Sequence, residues 1–247
     1  MNITAIKTHK ITRKDTNFLH ILDKYVKDFP DKSVLVIASK VISITQGRIV
    51  QVTAEEKNDL IKKEADYYLP PEENAYNLFV TMKNNMLNYS AGMDESNVED
   101  GVALWPKDIQ KEVNSIREYL VERFAIKHAG VIVTDMAAIP LQRGIIAGPI
   151  AYSGFNPLRD LTWTSDLFGR PFQHAMQGVL QGLAAGAGVV MGEGANQTPL
   201  AVIEDIPFVE FQTRNPTQEE LDGLSVTPEQ DLYGSLLTSV NWRKGGV

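Results

Sequence analysis

Cysteine is absent from this chain, so disulfides, thiolate catalysis and zinc–sulfur centres are all excluded. Basic charge is scarce relative to acid: 24 Lys and Arg face 31 Asp and Glu, for a formal charge of −7. A nucleic-acid binder needs a basic surface to displace counterions, so no nucleic-acid partner is expected, although a local basic pocket for phosphates stays compatible. No segment reaches the roughly 18 apolar residues of a membrane span. The N-terminal MNITAIKTHKITRKDTNFLH lacks the apolar core of a signal peptide. Together these absences predict a soluble, cytoplasmic protein with no membrane partner. The four histidines, His9, His20, His128 and His174, show no ligand spacing of the His-x-x-x-His kind and are read as structural or surface groups. The P-loop pattern, the G-x-G-x-x-G dinucleotide turn and the G-x-S-x-G nucleophile elbow are missing too.

What remains is an ordinary globular composition. The 247 residues are 43% hydrophobic and 22% charged, ample for a sizeable core. In residues 17–28, Phe18, Ile21, Leu22 and Tyr25 share one helical face. Ser33–Ala38 is a continuous apolar run, expected as a buried strand. Residues 48–52 alternate and are expected to pair nearby, and 54–67 predict a charged helix stopped by Pro70 and Pro71. Residues 84–108 read as polar loop. Ile109, Val113, Ile116, Leu120 and Phe124 then mark the clearest helix in the chain. A second buried strand is predicted over 129–133, irregular hairpins over 144–170, a small-residue helix over 172–190, and a third buried strand over 199–203. With no internal repeat or low-complexity linker, the expectation is a single α/β (α+β) unit over 1–247, built in two lobes.

Three loops carry residues of chemical interest. Gly92-Met93-Asp94-Glu95-Ser96-Asn97 puts an acid and an amide in a turn. Asp135 stands where an apolar strand ends, a usual place for site residues in α/β folds. Gly192-Glu193-Gly194-Ala195-Asn196 holds one carboxylate between glycines. Oxygen ligands drawn from separate loops suit Mg²⁺ or Mn²⁺. Each also has a plain structural reading. Asp94 and Asn97 fit an Asx turn or helix cap, Asp135 a turn cap, Glu193 a solvated loop acid, and Lys40 a surface lysine.

At these same loops the sequence resembles the coenzyme F-420-0:γ-glutamyl ligase family, in order over about residues 33–204. Ser39-Lys40-Val41-Ile42-Ser43 with Gly47-Arg48 looks like the family's strand–Lys–turn segment. Ala91-Gly92-Met93-Asp94 with Ser96-Asn97 is similar to its A-G-I-D-x-S-N motif, and Val131-Ile132-Val133-Thr134-Asp135 to the strand before its second metal aspartate. Asp166, Gly169 and Arg170 match a D-x-x-G-R segment, and Met191-Gly192-Glu193 its nucleotide loop. The resemblance implies a GTP- or ATP-dependent ligase that activates an acceptor carboxylate as an acyl phosphate for attack by L-glutamate. It implies Asp94, Asp135 and Glu193 as ligands of Mg²⁺ or Mn²⁺, with a monovalent cation as a further candidate. Ser39, Lys40, Asn97, Met191, Gly192 and Gly194 would meet the nucleotide. It also implies a homodimer.

The departures are local. Where the family reads T-F-G-R-P-W-R-x-G, this chain has Met136-Ala137-Ala138-Ile139-Pro140-Leu141-Gln142-Arg143-Gly144. Two arginines and an aromatic are lost, removing fork-shaped donors for an anionic acceptor. Arg143 is the one candidate to clamp a carboxylate in their place. Ile44 stands where a second lysine is usual, and Gln181 and Gly188 replace acids. Three readings follow: glutamate ligation to another acceptor such as a folate, ligation to the deazaflavin coenzyme with altered contacts, and a non-catalytic nucleotide or metabolite binder. Retention of Asp94, Asp135 and Glu193 together argues against the binder, which has less need of metal-bound phosphates.

Overall fold

A computed structural model describes residues 1–246. Its centre is a five-stranded sheet in the order Asn2–Ile6, Leu200–Glu204, Ser33–Ala38, Ala129–Ala138, Ile145–Ser153. Ser33–Ala38 and Ala129–Ala138 run parallel and the other neighbours antiparallel. The apolar run at 33–38 is explained by burial on both faces. Leu35, Ile37, Val131 and Val133 point to one core with Phe18, Ile21 and Leu22 of the Phe18–Tyr25 helix and Val113, Ile116 and Leu120 of the Ile109–Phe124 helix. Val34, Val36 and Ile132 point to the opposite core, closed by Leu180, Leu183, Ala184 and Ala187 of the Val179–Met191 helix. The result is a helix–sheet–helix sandwich of mixed α/β class.

A second, smaller sheet takes the order Arg243–Lys244, Tyr67–Leu69, Val80–Lys83, Met86–Tyr89. It packs with the Ala54–Glu64 helix around Ile61, Phe79, Ala91, Met93 and Leu104. Thr53 and Glu56 close that helix's N-terminus with a reciprocal capping box.

Several expectations need correction. The 84–108 stretch is not all loop: it contains the Met86–Tyr89 strand and Val102–Ala103, which pairs with Ile49–Val50. The 48–52 segment therefore pairs some fifty residues away and not nearby. The strand expected at 129–133 continues to Ala138, because Ile145–Ser153 folds back on it as a long hairpin. Pro149 and Gly148 made 144–153 look irregular. Pro149 is tolerated because this is the sheet's edge strand, and the pairing slips by one residue beside Thr134. The small-residue helix starts only at Val179, since Met176–Gly178 pairs with Leu158–Asp160.

Gly188 explains why that helix is poor in side chains. A Cβ there would lie 2.4 Å from Ala147 Cβ on the edge strand. Gly188→Ala is expected to destabilise the fold by about 1–3 kcal/mol through overpacking, against a helix-propensity gain of about 1 kcal/mol. Chemical denaturation checks this. An unchanged or raised midpoint would mean the edge strand yields freely.

Candidate functional site

The sandwich leaves a cavity of about 290 Å³ over the Ser33–Ala38 and Ala129–Ala138 strands. Ser39, Lys40, Asp94, Asn97, Asp135, Met191, Gly192, Glu193 and Gly194 all line it. The parallel pair of strands accounts for half of this convergence. Ala38 lies opposite Thr134, so Ser39 and Lys40 leave one strand beside Asp135 on the other. The Val179–Met191 helix delivers the glycine loop to the opposite wall, and Asn97 Nδ2 donates to the Gly194 carbonyl at 3.3 Å, joining the two loops. Met136 also faces the cavity. Arg143 does not: it is exposed in the turn of the 129–153 hairpin, outside the cavity lining.

Asp94 is held on both sides. Its backbone exchanges hydrogen bonds with Ala103, and its Oδ1 accepts from the Ser96 N–H at 2.7 Å, the Asx arrangement. Its Oδ2 accepts from Lys40 Nζ at 2.7 Å. Lys40 also donates to the Ser96 carbonyl at 2.6 Å and to Ser96 Oγ at 2.9 Å. The structural and the functional readings of Asp94 thus coexist. Burial alone would raise its pKa, but the Lys40 ammonium and the Ser96 donors outweigh it and hold the carboxyl below its ordinary range.

Asp135 has no such cation. Desolvation pushes its carboxyl up to about 6, with the Asp94 charge adding to the rise. Its neutral donors, the Trp105 indole, the Met136 N–H and Ser39 Oγ, offset only part of this. Ser39 Oγ donates to Oδ1 at 3.3 Å, and Trp105 Nε1 donates to Oδ2. Glu193 is raised as well, by desolvation and by the nearby Asp135 and Asp94, with Lys40 acting against them. The Tyr89 phenol, half-buried, is pushed up by burial and then by the same three carboxylates.

Among the described residues no three acidic or histidine side chains converge closely enough to cage an ion unaided. The donor set is nevertheless all oxygen, and two of its three acids are held above their ordinary pKa, with mutual repulsion contributing to both. A hard divalent cation would relieve that repulsion, so the chemistry of the donor set is compatible with Mg²⁺ or Mn²⁺.

Three groups escaped the sequence reading. His9, expected to be structural or superficial, keeps structural partners but also lines the cavity, a placement the sequence did not indicate. Its Nδ1 lies 2.7 Å from Tyr25 Oη and its Nε2 2.8 Å from Asp15 Oδ1. Tyr89 and Trp105 lay in the stretch read as loop. The short apolar run Val102-Ala103-Leu104-Trp105 was the available signal that this stretch is buried.

A sequence profile of the family described as F420-0:Gamma-glutamyl ligase matches residues 5–205. The coenzyme F420:L-glutamate ligase of Methanococcus maripaludis (strain C7) is 30% identical over 209 residues, covering 78% of this chain and 83% of that protein. The protein of the same name from Archaeoglobus fulgidus is 31% identical over 193 residues, with 72% and 77% covered. That from Methanocaldococcus jannaschii is 27% identical over 200 residues, with 79% and 75% covered.

Proposed function

This chain belongs to the F420-0:Gamma-glutamyl ligase family of ligases, and from that premise we propose that it joins L-glutamate through an amide bond to the carboxylate of a deazaflavin coenzyme, at the expense of GTP. The observation that carries this reading is the cavity in which Lys40, Asp94, Asp135, Glu193 and Asn97 meet, all within the matched residues. The relatives' names favour the deazaflavin acceptor over the folate that the altered 136–143 segment suggests.

Asp94, Asp135 and Glu193 would hold Mg²⁺ or Mn²⁺, which supplies charge neutralisation for the transferring phosphoryl group. Lys40 binds and orients phosphate as a point charge, and Asn97 and the 192–194 backbone close over it. An oxygen of the acceptor carboxylate takes the γ-phosphoryl group, the β–γ P–O bond breaks and GDP leaves, giving an acyl phosphate. The neutral amine of L-glutamate then attacks its carbonyl carbon, phosphate leaves, and the nitrogen gives up a proton to solvent. Positioning and electrostatics do most of the work, since the protein need form no covalent bond.

The test combines GTP or ATP, Mn²⁺ or Mg²⁺, L-glutamate, and equal amounts of the deazaflavin acceptor and a monoglutamyl folate. Mass spectrometry should find one glutamyl increment on the deazaflavin. Preference for folate, lost in Arg143→Ala, would restore the other acceptor. Nucleotide binding with no phosphate release for any acceptor would overturn the ligase reading.

A homodimer is part of the same proposal. Residues 158–178 form an arm on which Trp163, Leu167 and Phe168 are at least 82% exposed. Such a patch is unusual on a monomer and is the surface a second copy would cover. Light scattering at the mass of one chain would remove this part of the reading.

A further inference from the structure

Trp105 sits where the two sheets meet, and its surroundings are built to hold it in one pose. The side chain is only 4% exposed. Arg48 Nε donates to its carbonyl at 3.1 Å, and Lys83 Nζ lies 5.6 Å from the centre of its ring. Glu64 ties these two cations together, accepting from Arg48 at 3.2 Å and from Lys83 at 2.6 Å. On its other side the indole passes against Gly92, where a Cβ would lie 2.0 Å from Nε1. Gly92 also has φ +71°, a conformation that favours glycine. The glycine of the Gly92–Asp94 turn is therefore needed to let the indole through. At the end of this path the indole N–H meets Asp135 Oδ2.

We propose that Trp105 is a positioning residue for the ligase: its N–H fixes the Asp135 carboxylate by Oδ2 so that Oδ1 is the oxygen offered to the divalent cation. The inference rests on the reading of Asp135 as a metal ligand. An indole N–H is a donor only and has no acceptor role to confuse the geometry. Oδ1 accepts the long 3.3 Å contact from Ser39 Oγ and keeps a lone pair for an ion, so the carboxylate loses little freedom on binding one, and such outer contacts commonly set metal affinity. The Glu64–Lys83–Arg48 cluster links this orientation to the smaller sheet, so both lobes take part in shaping one ligand.

Two changes at one position separate hydrogen bond from volume: Trp105→Phe, and site-specific replacement by benzothienylalanine, which keeps the bicyclic shape without the N–H. Asp135→Asn serves as the control. Mn²⁺ binding to the full chain without nucleotide is followed by electron paramagnetic resonance of the free ion, and indole emission is recorded in the same titration. Both replacements should weaken Mn²⁺ binding by about ten- to a hundredfold and raise the Mn²⁺ needed for half-maximal activity, while the KM for GTP at saturating Mn²⁺ stays within about twofold. The wild-type protein should show Mn²⁺-dependent quenching that disappears when Trp105 is replaced. Wild-type Mn²⁺ affinity in a benzothienylalanine protein with a normal melting transition would overturn the proposal, provided Asp135→Asn has lost affinity. If Asp135→Asn also binds Mn²⁺ like the wild type, the metal reading itself has failed and the positioning role falls with it.

Discussion

Replacing Asp135 by asparagine is expected to abolish glutamyl transfer and, in the metal-free protein, to increase stability above pH 6. The first effect follows from losing a charged oxygen next to the transferring phosphate; a loss of about a hundred- to a thousandfold in turnover is the scale seen when one well-placed electrostatic group is removed, and loss of the metal would add to it. The second follows from the carboxyl's pKa, near 6 in the folded chain against an ordinary 3.8. A group that binds its proton more tightly when folded stabilises the fold while protonated. That contribution is complete below about pH 4, falls as pH rises through 6, and leaves the ionised carboxylate as a net cost above it. The shift sets an upper bound of about 3 kcal/mol on this cost. Asparagine removes the charge and keeps an oxygen for the Trp105 N–H. Melting in chelator should therefore show the variant above the wild type at pH 8 and level with it near pH 4. Adding Mn²⁺ should raise the wild type alone. Retained turnover, or a melting difference independent of pH, would contradict the assignment of Asp135.

Lys40→Met is expected to act in opposite directions on the two ligands. All three ammonium donors are engaged, with Asp94 Oδ2, the Ser96 carbonyl and Ser96 Oγ. The lysine therefore stands beside the carboxylate that a divalent cation would need. Without it, GTP should bind about ten- to a hundredfold more weakly, the value of one lost charge-assisted hydrogen bond of about 1.5–3 kcal/mol. Mn²⁺ in the absence of nucleotide should bind more tightly, because a competing cation has gone. The fold should lose no more than about 1 kcal/mol, since the pair is partly solvated. Calorimetric titration of each ligand alone separates the two effects. Unchanged GTP affinity would return Lys40 to a structural partner of Asp94, and weaker Mn²⁺ binding would mean the two cations do not compete.

The sequence by itself determined the strands that are buried on both faces and the helices with a full apolar stripe. Val34, Leu35, Val36 and Ile37 can be satisfied only inside a sheet covered on both sides, and the Ile109–Phe124 repeat only on a helix with one face covered. It also marked Asp94, Asn97 and Glu193, because acids and amides near glycines announce turns wherever they fold, and Asp135 at a strand end, whereas Ser39, Lys40 and Met191 were singled out through the family resemblance. The tertiary structure alone decided which of those turns meet. Asp94 and Asp135 are 41 residues apart, and their proximity depends on the parallel pairing of Ser33–Ala38 with Ala129–Ala138 and on the second lobe folding against it. Val102–Ala103 is too short to show a local period, and the alternation at 48–52 could not say that this distant pair of residues is its partner. The same reason hid Trp105 and His9. Their placement is set by partners, Asp135 for one and Asp15 with Tyr25 for the other, and a partner's direction is a property of packing, which spacing along the chain does not encode.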